Sequence, residues 1–139
     1  MEKINVMLDE GAIMPTRAHS TDAGMDLYTP KEVVIGRWQS AVVDTGVHTE
    51  IPEGYVGMIK SKSGLNVKHD IVSEGVVDSG YSGSIVVKLY NHGDTTYKFN
   101  AGDKITQLVI LPIVTPEPVL VEEFAETERG DAGFGSTGA

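Results

Sequence analysis

Cysteine does not occur in this chain of 139 residues, which excludes disulfide frameworks, thiolate nucleophiles and cysteine-ligated zinc together. Basic residues are scarce: 11 Lys and Arg stand against 20 Asp and Glu, a formal charge of -9. Duplex binding draws its affinity from many cationic contacts with phosphate, so no nucleic-acid partner is expected. A small polyphosphate needs only a few converging donors and stays open. No apolar run approaches the roughly 20 residues that cross a bilayer. Met1 to Glu10 lacks the basic start and small-residue cleavage site of a signal peptide. The expectation is a cytoplasmic chain with no membrane association. The four histidines, His19, His48, His69 and His92, show no i, i+4 pair of the kind that holds zinc on a helix. A participating metal is therefore expected to be a hard ion held by oxygen, such as Mg2+.

Long helical stripes are missing too. The dominant period is two, in Ile4–Leu8, Glu32–Ile35, Ala41–Val43, Tyr55–Ile59, Ser84–Tyr90, Ile105–Val114 and Val119–Val121. Turn signals separate them: Pro52-Glu53-Gly54, Asp78-Ser79-Gly80, Asn91-His92-Gly93-Asp94 and Asn100-Ala101-Gly102-Asp103. One short helical turn can begin at Ser63, although Gly64 weakens it. Brief strands at this spacing predict a single all-β domain, an antiparallel sandwich or closed barrel. Composition shifts after Pro116 and Pro118: a last strand is followed by Glu122, Glu123, Glu126 and Glu128, then by a glycine-rich finish. The expected division is a β-barrel core over residues 1–121 and a flexible C-terminal arm over 122–139.

The arm has chemical content. Gly130-Asp131-Ala132-Gly133-Phe134-Gly135-Ser136-Thr137 has the spacing of a phosphate loop, with Ser136 where lysine normally stands. Glycines let backbone N–H groups converge on anionic oxygens, and Ser and Thr hydroxyls add donors. Only Gly138 and Ala139 follow Thr137, so no helix can stand behind the loop, and Walker or Rossmann contexts fail. Arg129 can bind phosphate through two donors. Phe134 wastes apolar area unless it covers something flat. Lys60-Ser61-Lys62-Ser63-Gly64 is either a solvated strand end or a cation and hydroxyls at a pocket mouth. Gly75-Val76-Val77-Asp78-Ser79-Gly80-Tyr81 and Asp22-Ala23-Gly24-Met25-Asp26-Leu27 read equally well as ordinary turns or as site segments.

Order decides among these. The chain resembles the trimeric dUTPase family over nearly its whole length, with five motifs in sequence. They are Asp22–Leu27; Lys62-Ser63-Gly64-Leu65, preceded by Pro52-Glu53-Gly54; Gly75–Gly83; Gly102-Asp103-Lys104-Ile105-Thr106-Gln107-Leu108; and Arg129-Gly130 through Gly135-Ser136-Thr137-Gly138. The resemblance implies a jelly-roll-like β-barrel, a homotrimer with active sites shared between subunits, and hydrolysis of dUTP to dUMP and pyrophosphate. It implies that Asp78 is the base for water attacking the α-phosphorus. Lys62, Ser63, Gly64, Gln107, Arg129, Gly135, Ser136 and Thr137 would hold phosphates. Mg2+ would be chelated mainly by the triphosphate, with Asp26 and Gln107 reaching its waters. Gly75, Val76, Val77 and Val86 would meet uracil, Tyr81 would pack on deoxyribose and exclude a 2'-hydroxyl, and Phe134 would stack on the base.

Two departures from the family pattern stand out. Lys62 replaces the usual arginine, keeping charge but losing the planar fork. Ser82-Gly83-Ser84 stands where charged residues are frequent, without an evident functional meaning. A dCTP deaminase of the same fold is the nearest alternative, but it has no need of an arm with a stacking phenylalanine. A nucleotide-switched regulatory protein with a protein partner is another. A purely structural barrel leaves Arg129–Gly138 unexplained.

Overall fold

The computed structural model describes residues 2–138. Its elements are β1 (Asn5–Leu8), β2 (Gly24–Tyr28), β3 (Val33–Ile35), β4 (Ser40–Asp44), β5 (Val47–Glu50), β6 (Tyr55–Lys60), α1 (Ser63–His69), β7 (Ile71–Val77), β8 (Val86–Asn91), β9 (Tyr97–Phe99) and β10 (Lys104–Pro112). The main sheet runs in the order β2-β10-β6-β7-β8-β4, and the pairs β1-β5 and β3-β9 form two small sheets beside it. All pairings are antiparallel. The large sheet curls into a half-barrel, as the period-two pattern requires.

Strand β8 shows the pattern plainly. Val87, Leu89 and Asn91 are buried while Val86, Lys88 and Tyr90 face out. Inward residues from every strand meet in one core that includes Leu27, Ile35, Val47, Ile59, Ile71, Leu89, Phe99, Ile105 and Leu108. Each such side chain contributes roughly 1.5–3 kcal/mol by leaving water. Gly57 leaves room for its neighbours in the core: an added Cβ would lie 2.7 Å from Ile51 Cδ1, 2.9 Å from Leu108 Cδ1 and 3.2 Å from Val77 Cβ.

Four strands go beyond the expected set. Gly24, Met25, Asp26 and Leu27 of β2 are buried consecutively, so that strand carries no alternation to read. In β7 the apolar series is interrupted by Ser73, Glu74 and Gly75, and β5 and β9 are short. The helix at Ser63 does form, runs to His69, buries none of its residues and ends at Asp70 in the left-handed region (φ 56°).

The strand expected at Val119–Val121 is not one in this chain. Ile113 N–H donates to the Gly54 carbonyl at 2.9 Å, and beyond it every described residue is exposed. A strand needs a partner for its ladder, and the single chain offers none here. Leu120 is left 99% exposed.

Candidate active site

Two groups of candidate residues emerge, at opposite ends of the same strands. The first is built on β2, β6 and β10. Gln107 pairs with Asp26 on one side and with Lys60 on the other, so directly opposed side chains share a face. Gln107 Nε2 donates to the Ser61 carbonyl at 3.0 Å, fixing the segment that carries Lys62 and Ser63. A chain of buried hydroxyls braces that segment from below. Ser73 Oγ and Thr106 Oγ1 lie 2.7 Å apart, Thr106 donates to the Lys60 carbonyl at 3.0 Å, and Ser61 Oγ accepts from Ser73 N–H at 2.9 Å. Gly24 is required by close approach, since a Cβ there would lie 2.1 Å from Gln107 Oε1 and 3.0 Å from Gln107 Cβ.

Asp26 is the charged centre of this group. Its side chain is only 7% exposed and pairs with two ammonium groups, Lys62 on Oδ1 and Lys104 on Oδ2, the latter at 3.0 Å. Burial pushes its carboxyl upward, but the hydrogen bonds and charges of Lys62 and Lys104 outweigh that and hold it below the ordinary value. The same contact raises Lys104. Sequence reasoning missed Lys104 as a partner, and the reason is local. Along a regular β10, residues 107 and 104 would point to opposite faces. The register instead shifts between Lys104 and Thr106, and this bulge carries Lys104 round to the face of Tyr28 and Asp26.

Lys62 is the N-cap of α1, and Ser63 and Gly64, in its first turn, are exposed beside it. Among the described residues no group of three or more His, Asp or Glu could hold a metal. One carboxylate and one amide, Asp26 and Gln107, suit a hard ion that brings most of its own oxygen ligands and water. They do not form a cage.

The second group lies on the β7–β8 hairpin. Its ladder stops at the pair Ser73↔Leu89. Beyond it the strands part: Glu74–Val77 pair with β6, while Val86 and Val87 pair with β4. Among the described residues no backbone bond crosses between residues 74–77 and 85–88. The result is a slot whose facing edges are main-chain N–H and C=O groups of Gly75, Val76, Val77 and Val86. Asp78, exposed, stands at its mouth, with Tyr81 beside it, 47% exposed. Tyr81 N–H donates to the Asp78 carbonyl at 3.2 Å, closing the turn.

The two groups are not brought together within one chain. Asp78 follows the pair Gly57↔Val77 and lies level with Val56, whereas Lys62 lies beyond the pair Lys60↔Glu74. At ~3.3 Å per residue this separates them by roughly 20 Å along the strand axis. Nor does the tail reach either group. Arg129 Nε donates to the Ala132 carbonyl at 2.8 Å, Gly130 and Gly135 turn the chain at positive φ, and Ser136 N–H donates to the Gly133 carbonyl at 3.0 Å. Gly135, Ser136 and Thr137 are exposed, and Phe134 has its whole ring in solvent.

Comparison with known proteins supplies the family. A family model described as dUTPase matches residues 10–138. A deoxyuridine 5'-triphosphate nucleotidohydrolase of Oryza sativa subsp. japonica is 44% identical over 132 residues, covering 94% of this chain and 77% of that one. Its counterpart in Clostridium acetobutylicum is 40% identical, covering 94% and 92%. Among solved structures, the Staphylococcus bacteriophage 80alpha dUTPase with dUpNHpp matches at TM-score 0.93, 36% identity and full coverage of both chains. A variant of the phage phi11 dUTPase, solved to describe coordination of a structural Mg(II) ion, matches at TM-score 0.82 and 37% identity, covering 89% of this chain and 99% of that one. With the strand order, the split hairpin and all five motifs in place, the chain belongs to the dUTPase family.

Proposed function

We propose that this protein hydrolyses dUTP to dUMP and pyrophosphate in a site assembled from more than one copy of the chain. The observation that carries this is the split hairpin with Asp78 at its mouth. A slot edged by backbone N–H and C=O can read the edge of a pyrimidine as an added strand would. Gly75, Val76, Val77 and Val86 would pair with uracil. Cytosine reverses donors and acceptors at two ring positions and would leave buried groups unpaired. Tyr81, half-exposed, offers its ring to a deoxyribose and no space for a 2'-hydroxyl.

With the base and sugar so placed, Asp78 would take a proton from a water in line with the α-phosphorus. The water oxygen bonds to phosphorus, the bridging oxygen leaves with pyrophosphate, and the carboxyl later returns its proton to solvent. A positioned base of this kind is worth roughly 10²–10⁴-fold in rate. Lys62, Ser63, Gly64 and Gln107 would hold the leaving phosphates, where donor placement and charge supply most of the barrier reduction. Lys62 must exchange its Asp26 partner for a phosphate oxygen, and Lys104 would keep Asp26 neutralised as it does so. Mg2+, when bound, would withdraw charge from the phosphate oxygens, with Asp26 and Gln107 reaching its waters. A solved relative is described with a structural Mg(II) ion, which supports Mg2+ as an ion this family binds.

The arm, residues 122–139, would complete the site. Arg129, Gly135, Ser136 and Thr137 would add phosphate donors and Phe134 would cover the uracil, a contact of roughly 1–3 kcal/mol. A homotrimer follows the family resemblance. The roughly 20 Å between Asp78 and Lys62 and the bare segment after Ile113 both support a site that needs a neighbour. No described helix is long and apolar enough to cross a membrane. The deaminase alternative is not favoured: the matched relatives are named as triphosphate nucleotidohydrolases.

Pyrophosphate release from a panel of nucleoside triphosphates tests the assignment. We expect release from dUTP, little from dCTP, dTTP or UTP, and a loss of about 10²–10⁴-fold in Asp78→Asn with the fold intact. Ammonia release from dCTP, or an Asp78→Asn variant as fast as the parent, would overturn it.

A further inference from the structure

The segment Ser82-Gly83-Ser84 is a built seat for Tyr81. Gly83 lies directly beneath the ring: an added Cβ would sit 2.4 Å from Tyr81 Oη and 2.5 Å from Cζ, so only glycine lets the phenol lie against the backbone. Tyr81 O–H donates to the Ser84 carbonyl at 2.8 Å, and the turn thus grips its own aromatic ring at both ends.

The seat is anchored from outside the motif by two residues to which nothing above assigns a role. His48, on β5, approaches the Ser82 carbonyl with Nδ1 at 2.7 Å and Asp9 Oδ1 with Nε2 at 2.9 Å. Both ring nitrogens face acceptors, and only the imidazolium donates to both at once. The Ser82 carbonyl first, and Asp9 second, raise the His48 imidazole above its ordinary value, with the Asp44 carboxylate adding to the effect. Asp44, on β4, accepts from Ser84 Oγ and, through the same Oδ1, from Gly46 N–H at 2.9 Å. Ile85 is fixed immediately after, donating to the Val47 carbonyl at 2.8 Å and accepting from Thr45. His48, Gly80, Tyr81 and Ser82 also line one surface hollow with Met7 and Thr49. The two polar anchors and the Ile85 contacts tie the turn to β4 and β5.

We propose that His48 and Asp44 are positioning residues for Tyr81 and thereby set the preference for a deoxyribose over a ribose substrate. The proposal rests on the activity proposed above. Asp44 pairs through its backbone with Val86 at the slot's edge, but the side chains of Asp44 and His48 act on the turn rather than on the slot. They hold the Ser82 carbonyl and the Ser84 hydroxyl, and the Tyr81 ring packed on that turn can reject a 2'-hydroxyl only if the turn does not give way. Releasing one anchor lets the ring swing outward, which admits ribose while leaving the uracil edge and Asp78 in place.

The test compares kcat/KM for dUTP and UTP in the wild type, His48→Phe, Ser84→Ala and the double variant, with calorimetric affinities for dUMP and UMP beside them. His48→Phe keeps a ring but loses both hydrogen bonds, and Ser84→Ala removes the donor to Asp44. Each single variant removes one hydrogen bond to the turn, and we expect each to lower the dUTP:UTP ratio by about tenfold, the equivalent of that one bond. The fall should come mainly from faster UTP turnover and tighter UMP binding. Should His48→Phe melt too low to assay, Ser84→Ala carries the same readout. Folded variants that discriminate as well as the wild type would overturn the inference alone. A wild type inactive on dUTP would remove the activity and this inference with it.

Discussion

Asp26 sits almost out of water between the ammonium groups of Lys62 and Lys104, and its chemistry follows from that position. A buried carboxylate is costly without partners, and the fold supplies two, of which the proposed mechanism releases Lys62 to substrate. Its carboxyl is held below the ordinary 3.8. A depressed carboxyl contributes stability that is fully present above the unfolded value and is lost as pH falls through the folded one. Thermal melts should therefore stay level down to about pH 4 and fall on further acidification, with a shallower fall in Asp26→Asn. A melting point that drops equally in both would remove Asp26 from the acid limb. Gly24 makes the second prediction at this scale. A methyl there collides with Gln107, so Gly24→Ala should push the amide off the Ser61 carbonyl and slacken the Lys62 segment. We expect a loss of roughly 1–3 kcal/mol in stability, seen as a lower melting temperature. The loss in kcat should exceed what that temperature shift explains.

Among elements, the strands differed in how openly they declared themselves. Strands with one wet face, such as β8, were legible because alternation is the direct imprint of a half-buried sheet. Strand β2 was not, since Gly24 to Leu27 are buried without a break and the segment was recognised only as a motif. The bulge in β10 hid the partnership of Lys104 with Asp26, because a one-residue slip reverses every side-chain direction beyond it. Asp44 and His48 were equally silent: their partners at Ser84 and Ser82 lie 40 and 34 residues away. The site motifs themselves are legible by order, but one chain does not bring Asp78 and Lys62 together, because a sequence carries no sign of which copy supplies each motif. In the tail, Val119–Val121 has the look of a strand ahead of the arm, but a strand needs a ladder, and no described residue pairs with it. For the arm, deletion of residues 122–138 should leave the melting profile of the body nearly unchanged, since no described residue there packs on it. Turnover should fall by about 10²–10³-fold, the scale on which single stabilising donors act. Steady-state assays paired with circular dichroism check both halves, and a truncated chain with full activity would strip Arg129–Thr137 of their role.

At the scale of the whole molecule the geometry asks for company. The slot with Asp78 and the proposed phosphate-binding group around Lys62 lie roughly 20 Å apart along the strands. A dUTP molecule engaged with both must take them from different copies. The exposed segment beyond Ile113, with Val114, Leu120 and Phe124 bare among its acidic residues, points the same way, because exposed large apolar side chains mark association surfaces. The most direct measurement is subunit complementation. Asp78→Asn and Lys62→Ala chains, each inactive alone, are unfolded together, refolded as a mixture and assayed for pyrophosphate release from dUTP. Sites that pair one variant's intact slot with the other's intact phosphate group should restore a substantial fraction of wild-type turnover. A mixture shown by mass spectrometry to contain hetero-oligomers, yet no more active than its parents, would contradict a site shared between copies.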